Sequence, residues 1–193
     1  MKELSELSMR NPYLTGYFPL LSIIMFSLAL SLRTEIELIS ILRNAGIYDG
    51  MLEFFSDTGI KLSLLALLMV VYFMVFAALK LIADTINEVS LLLFSRDHEG
   101  ESLKLIRKGA IVYFAGGIAA LASFFSFTGI GSIFLLATMV YFIYFVYKIS
   151  PKLTAAGLIG TVFFQVILWS TLVLGIIYLA VKVYNSLVAS LPI

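Results

Sequence analysis

The chain has 193 residues, of which 61% are hydrophobic and only 13% are charged, whereas about a quarter of the residues in a soluble domain carry a charge. Thirteen Lys and Arg oppose twelve Asp and Glu, and this balance excludes the basic surface that a nucleic-acid partner requires. The absence of cysteine excludes disulfides, thiolate metal sites and cysteine nucleophiles. The composition predicts a single all-α, polytopic integral-membrane domain over residues 1–193, with the lipid bilayer as a partner.

Five stretches of the chain stay apolar for about the 20 residues that a membrane-crossing helix requires. They are residues 12–32, 59–80, 109–127, 132–148 and 154–182. Asn11 is a suitable N-cap for the first span, and Asp57 or Thr58 for the second. Residues 48–57 are mixed in polarity and predict a short segment that lies on the membrane surface. The predicted fold is a bundle of five transmembrane helices with an amphipathic extension after the second.

Small residues are concentrated in the third predicted span. Those with a spacing suited to helix packing are Ala115, Gly116, Ala119, Ala120 and Ser123. Small residues four positions apart let two helix backbones approach closely in lipid. The pattern therefore predicts that this span is the packing centre of the bundle.

One short stretch of sequence occurs twice. Residues 54–60 read FFSDTGI and residues 124–130 read FFSFTGI, with one difference. The match fails when it is extended backward. A duplicated segment is one interpretation, but a shared turn and cap before two helices is the favoured one.

The basic residues are distributed unevenly between the two sides of the predicted bundle. Nine fall on the side of the N-terminus, namely Lys2, Arg10, Lys80, Arg96, Lys104, Arg107, Lys108, Lys148 and Lys152. Four fall on the other side, namely Arg33, Arg43, Lys61 and Lys182. Basic loops stay in the cytoplasm. The N-terminus is therefore predicted to be cytoplasmic and the C-terminus outside.

Four polar residues follow the second span, namely Lys80, Asp84, Asn87 and Glu88. On a helix they share one face, at steps of three or four residues. The uncharged run 62–79 is long enough to cross a bilayer by itself, and this favours a solvated stripe on an amphipathic extension, with a Lys80–Asp84 ion pair. The alternative places these charges inside the bundle, where ionisable groups are usually functional.

Other polar residues are candidates for a site inside the bundle. Gln165 lies near the middle of the fifth span, and Arg33 and Glu35 follow the first. An isolated glutamine in a span more often forms a hydrogen bond to a neighbouring helix than it binds a ligand. Gln165 is therefore primarily predicted to join two helices.

Catalytic sequence motifs are missing. The sequence contains no HExxH, GxSxG or GxxxxGK[ST] pattern, which would indicate a zinc site, a serine nucleophile or a phosphate-binding loop. The predicted cytoplasmic loop 95–104 holds the single histidine, His98, beside Asp97 and Glu99, but such acids in a loop are usually only solvated. No catalytic residue, metal site or cofactor is predicted, although Asp84 leaves an aspartyl mechanism open.

Three segments resemble the YufK-like family of small membrane proteins from Gram-positive, spore-forming bacteria. They are NPYLTGYFPL at residues 11–20, GMLEFFSDTGIKL at residues 50–62 and FAALKLIADTINEVSLL at residues 76–92. The resemblance implies a location in the bacterial plasma membrane. It implies no activity, and it identifies no functional residue.

The sequence favours a non-enzymatic accessory, regulatory or assembly subunit of the plasma membrane. Such a protein would associate with further copies of itself or with another membrane protein. The alternative is a small solute transporter or substrate-binding membrane subunit that uses the polar groups of residues 80–88 and Gln165. The identity of its small-molecule ligand does not follow from the sequence, and a membrane enzyme ranks third.

Overall fold

A computed structural model describes residues 12–95 and 101–190 of the chain, and the regular structure within these ranges is entirely helical. Within these ranges the chain forms seven α-helices, namely α1 Pro12–Asn44, α2 Ile47–Leu52, α3 Asp57–Phe94, α4 Glu101–Arg107, α5 Ala110–Ala122, α6 Phe127–Ile149 and α7 Ala155–Ser190. A single 3₁₀ turn, Ser150–Lys152, joins α6 to α7.

The predicted all-helical membrane architecture is confirmed. Among the described residues, four helical segments are long and apolar enough to cross a bilayer, namely Gly16–Asn44, Asp57–Phe94, Phe127–Lys152 and Ala155–Ser186. The remaining apolar helix, α5, has 13 residues and measures about 20 Å. The structure therefore contains four candidate spans and one shorter apolar helix.

Helices α1 and α3 are longer than the spans predicted from the sequence. Helix α1 continues to Asn44, and Gly46 follows with a positive φ of 70°, a conformation that glycine adopts without strain. Helix α3 has 38 residues and a length of about 57 Å. It passes through Lys80 without interruption, so the polar stripe belongs to the same helix as the second predicted span.

Two helices begin with the same cap. Ser56 accepts a hydrogen bond from the backbone N–H of Gly59 at 3.1 Å, and Ser126 accepts one from Gly129 at 3.2 Å. The N-cap of α3 is therefore Ser56 rather than the predicted Asp57 or Thr58, because Ser56 is the last residue with an extended backbone. The repeated stretches 54–60 and 124–130 thus share one cap geometry, while Asn11 lies outside the described residues.

Helix α1 lies at the centre of the bundle. It packs most extensively against α5 and α3, and it also contacts α6. Its buried small residues are Ser22, Ser27, Ala29 and Ser31. Beside them, the ring of Phe26 lies 5.7 Å from that of Phe76 and 5.4 Å from that of Phe134, measured between centroids. The first helix, packed on the predicted third span, thus provides most of the interior contact surface.

The predicted packing residues of α5 fall on two faces. Ala120 is fully buried, and a Cβ atom added at Gly116 would lie 3.1 Å from the Cβ of Ala137. Ala115 and Ala119 are exposed, and Ser123 is half-buried. Helix α5 therefore contacts its neighbours through Gly116 and Ala120, not through Ala115 and Ala119.

The turn between α1 and α3 is held by a polar cluster around Tyr48. Tyr48 is fully buried and donates a hydrogen bond to Asp57 Oδ1 at 2.7 Å, a contact that raises the pKa of the phenol. The guanidinium of Arg43 lies 4.8 Å from the centroid of the Tyr48 ring, and Lys61 Nζ pairs with Asp57 at 2.6 Å. The short helix α2 is thereby attached to the ends of both long helices.

Candidate functional site

The polar stripe of α3 contains one ion pair, one buried amide and one exposed acid. Lys80 Nζ pairs with both carboxylate oxygens of Asp84, one helical turn away. Asn87 is 7% exposed, whereas Glu88 is exposed. The four side chains share a face because they are three, four, seven or eight residues apart on one helix.

Asn87 is the centre of a buried hydrogen-bond network that joins three helices. Gln165 of α7 donates from Nε2 to Asn87 Oδ1 at 2.8 Å and to Ser90 Oγ at 3.4 Å. Asn87 Nδ2 in turn donates to the hydroxyl of Tyr141 on α6 at 3.4 Å. Gln165 is 3% exposed and Ser90 is fully buried. The predicted bond from Gln165 to a neighbouring helix therefore exists, and its partner is the polar stripe.

The stripe borders a cavity of about 510 Å³. Of the seven described helices, all but α2 contribute residues to its wall. Its charged side chains are Lys80, Asp84, Glu88 and Arg107. The structure thus brings together a lysine, two acids and an arginine that belong to two different helices, α3 and α4.

Aromatic side chains form a second part of the cavity wall. Phe26, Phe76 and Phe134 form one part of it, and Trp169 of α7 forms another. Tyr113 and Thr138, which are joined by a 3.2 Å hydrogen bond, also line it. A molecule in this cavity would meet charged groups on one part of its surface and aromatic rings on another.

Arg33 and Glu35, the other two candidate residues, lie away from this cavity. Arg33 Nη2 pairs with Glu37 at 2.8 Å, and the guanidinium lies 5.2 Å from the ring centroid of Phe127. Glu35 neighbours Arg33 on α1 and does not line the cavity. The structure therefore separates these two residues from the group formed by residues 80–88 and Gln165.

Cross-contacts define the relative heights of the helices. At one height in the bundle, the guanidinium of Arg33 in α1 lies over the ring of Phe127 at the start of α6. Further along, the rings of Phe76 and Phe134 lie 5.4 Å apart, and Asn87 then meets Tyr141 and Gln165. The polar stripe consequently lies beside the uncharged residues 127–147 of α6 and 153–181 of α7.

Several residues of the site were not predicted from the sequence. Ser90 lies three residues after Asn87, so helical spacing was a sufficient signal for it. The only sequence signal for Tyr141 was its place in an aromatic run, a pattern that is typical of a membrane interface. No sequence pattern indicated that Arg107 and Trp169 line the cavity, because their position depends on where α4 and α7 pack.

The described residues contain no group of three or more acidic, histidine or cysteine side chains that could hold a metal ion. Asp97, His98 and Glu99 of the predicted polar loop lie outside residues 12–95 and 101–190. The polar character of the site, in the part of the chain that the structure describes, therefore rests on the stripe and its neighbours.

Comparison with known proteins places these features in a family. The model of a family of unknown function, DUF5366, matches residues 35–192. The uncharacterized membrane protein YufK of Bacillus subtilis (strain 168) is 44% identical over 185 residues, which cover 96% of this chain and 100% of that protein. No solved structure matches the chain. The resemblance to the YufK-like family is confirmed, and the chain belongs to the DUF5366 family as a membrane protein.

Proposed function

We propose that this chain is a non-enzymatic, five-span protein of the bacterial plasma membrane that binds a small solute in the cavity beside the polar stripe. It would act as a carrier or as the substrate-binding membrane subunit of a transporter. The observation that carries this proposal is the group of four charged side chains, Lys80, Asp84, Glu88 and Arg107, around one cavity between helices.

The depth of the stripe follows from the neighbouring helices. Residues 127–147 of α6 are uncharged and extend over about 31 Å, close to the roughly 30 Å thickness of the hydrocarbon core. Tyr141 lies within this stretch and contacts Asn87. The hydrogen-bonded part of the stripe is therefore level with the hydrocarbon core, although the apolar run 62–79 of α3, taken alone, would place Lys80 at its edge.

Charges at this depth are costly unless they face a polar interior. Ionisable side chains within spans usually line a solute or ion path, and they pair with one another. Lys80 and Asp84 do both, since they form an ion pair and border the cavity. This favours the solute-binding function over the solvated stripe.

The course of the chain supports a five-span arrangement. Residues 123–126 join the end of α5 to the start of α6. At the other end of α5, Gly109 lies against the rings of Tyr141 and Tyr144 in α6. Helix α5 thus extends along much of α6 in the opposite direction. We count it as the third span, with the N-terminus in the cytoplasm and the C-terminus outside because of the excess of basic residues on the first side.

An accessory or assembly role is the second candidate. Residues 173–186 of α7 are all exposed, so this half of the helix is available to another copy or to another membrane protein. Such a role needs no water in the cavity, and water access therefore distinguishes the two functions.

The test compares cysteines at two positions on one turn of α3. The chain has no native cysteine, Ala83 lines the cavity, and Leu81 is 69% exposed on the outside of the bundle. We expect a charged, water-soluble thiol reagent to modify Ala83→Cys but not Leu81→Cys in membranes. If both react, the stripe lies outside the hydrocarbon core. If neither reacts, the cavity is dry, and the accessory role is favoured instead.

A further inference from the structure

We propose that the ligand of this cavity is a small zwitterion with an apolar body, the chemistry of an apolar amino acid or a short peptide. This inference rests on the proposed solute-binding function and names the class of solute.

Among the residues that the structure describes, the charged groups that line the cavity cancel in number. Lys80 and Arg107 are cationic, whereas Asp84 and Glu88 are anionic. A cavity with no net charge attracts neither a net cation nor a net anion by its overall field. It therefore favours a solute whose own charges also cancel.

Two of these charges are left without a protein partner. Lys80 and Asp84 neutralise each other as an ion pair. Glu88 and Arg107 are both exposed, and within residues 12–95 and 101–190 neither takes part in an ion pair. One free carboxylate and one free guanidinium thus border the same cavity from different helices.

A zwitterion satisfies both of these groups at once. Its ammonium group would donate to the carboxylate of Glu88, and its carboxylate would accept from the planar guanidinium of Arg107, which binds carboxylates through two parallel hydrogen bonds. A cation alone would leave Arg107 unpaired, and an anion alone would leave Glu88 unpaired. Each of them therefore makes one charge-assisted contact fewer than the zwitterion and is the weaker ligand.

The aromatic wall and the volume define the rest of the ligand. Phe26, Phe76 and Phe134 offer an apolar surface next to the charged groups, and burial of an apolar side chain there is favourable. The volume of about 510 Å³ lies within the range of small-molecule sites. A free solute of this class fits the cavity, whereas a whole phospholipid with two acyl chains does not.

The chain supplies its own reporter of binding. Trp169 is its single tryptophan, and it lines the cavity. Its fluorescence in nanodiscs can be titrated with three matched probes that lack tryptophan: leucyl-leucine, its C-terminal amide as the cation, and N-acetyl-leucyl-leucine as the anion. We expect the zwitterion to bind on the order of tenfold more tightly than either derivative, the factor that one charge-assisted contact commonly supplies.

Two variants test which residue binds the ammonium group of the ligand and which binds its carboxylate. Glu88→Gln should weaken binding of the zwitterion and the cation but not of the anion. Arg107→Gln should weaken binding of the zwitterion and the anion but not of the cation. Both side chains are exposed, so both variants should keep the melting temperature of the parent protein.

Failure of this inference is distinguishable from failure of the proposed function. If Ala83→Cys reacts with the thiol reagent but the three probes bind equally, or not at all, the cavity is accessible and the zwitterion assignment is wrong. The same conclusion follows if Trp169 emission responds to phosphatidylethanolamine in the nanodisc and free leucyl-leucine does not compete, because the ligand is then a lipid headgroup. An unreactive Ala83→Cys would instead contradict the solute-binding function itself.

Discussion

Asn87 and Gln165 complement each other as hydrogen-bonding groups. Each side-chain amide has a carbonyl oxygen that accepts and an NH₂ group that donates. Gln165 donates to Asn87, and Asn87 donates onward to Tyr141. Polar groups in a low-dielectric interior are stabilising only when they are paired, so this pairing explains how a glutamine is accommodated within the apolar α7.

Replacement of Gln165 tests the strength of this network. Gln165→Ala removes the donor to Asn87 Oδ1 and leaves a buried acceptor without its partner, which costs about 1–3 kcal/mol in proteins generally and about 0.6 kcal/mol on average between membrane helices. We expect a loss of about 1 kcal/mol in the free energy of unfolding, measured by denaturant titration in micelles.

The control for this change is Ser170→Ala on the same helix, where the side chain is exposed. It should leave the free energy of unfolding nearly unchanged. Equal stability of the two variants would show that the network does not hold α7 against α3. The double variant Gln165→Ala/Asn87→Ala should lose less than the sum of the two single losses, because both remove the same bond.

The helices themselves illustrate why a hydropathy pattern does not define the membrane position. Helix α3 is about 57 Å long, so more than one segment of it can span about 30 Å of hydrocarbon. Its most apolar segment, residues 62–79, overlaps only partly with the stretch that lies beside α6 and α7. The position of this helix is determined jointly with its neighbours, since all spans of one bundle share a single bilayer.

Gly116 is the residue of α5 where helix packing can be tested most directly. An added Cβ would lie 3.1 Å from Ala137 and 3.3 Å from the ring of Phe26, closer than ordinary van der Waals contact. Gly116→Leu should therefore force α5 away from α1 and α6 and destabilise the protein by about 1–3 kcal/mol, measured by thermal and denaturant unfolding in detergent.

The matched control is the adjacent Ala115→Leu, since Ala115 is exposed. It introduces the same side chain on the lipid-facing side of α5 and should change stability little. If Ala115→Leu were the more harmful of the two substitutions, α5 would contact its neighbours through the opposite face.

The molecule as a whole brings the charges of α3 and α4 to one cavity that six helices enclose. Orientation in the membrane then decides from which side a solute reaches it. The cavity lies toward the end of the bundle where α1 begins and where α6 turns into α7, because Gly16 of α1 lines it together with Arg107. The excess of basic residues at this end predicts access from the cytoplasm.

Single cysteines test this orientation. Asn44→Cys and Lys108→Cys are both at exposed positions, at opposite ends of the bundle. An impermeant thiol reagent should modify Asn44→Cys in intact cells, and Lys108→Cys only after permeabilisation. The reverse pattern would place the N-terminus outside, and modification of both in intact cells would show that the bundle does not have these two ends on opposite sides.

An all-helical membrane protein could be predicted from the sequence, because long uncharged runs are stable as helices in lipid and recur along the chain. Polar residues in an apolar part of the sequence could also be identified. Lys80, Asp84, Asn87 and Gln165 were therefore candidates for a functional site. Helical spacing within one element was sufficient for these predictions, since it depends only on local geometry.

The surroundings of these polar residues depend on how the helices pack against one another. Arg107 and Trp169 line the cavity, whereas Arg33 and Glu35 do not. Gln165 forms a hydrogen bond to Asn87, which is 78 positions away in the sequence. These placements depend on the height of each helix relative to the others, which close contacts such as those of Phe26 with Phe76 and Phe134 define. Side-chain packing between helices is a property of pairs of segments, and no single segment of the sequence contains it.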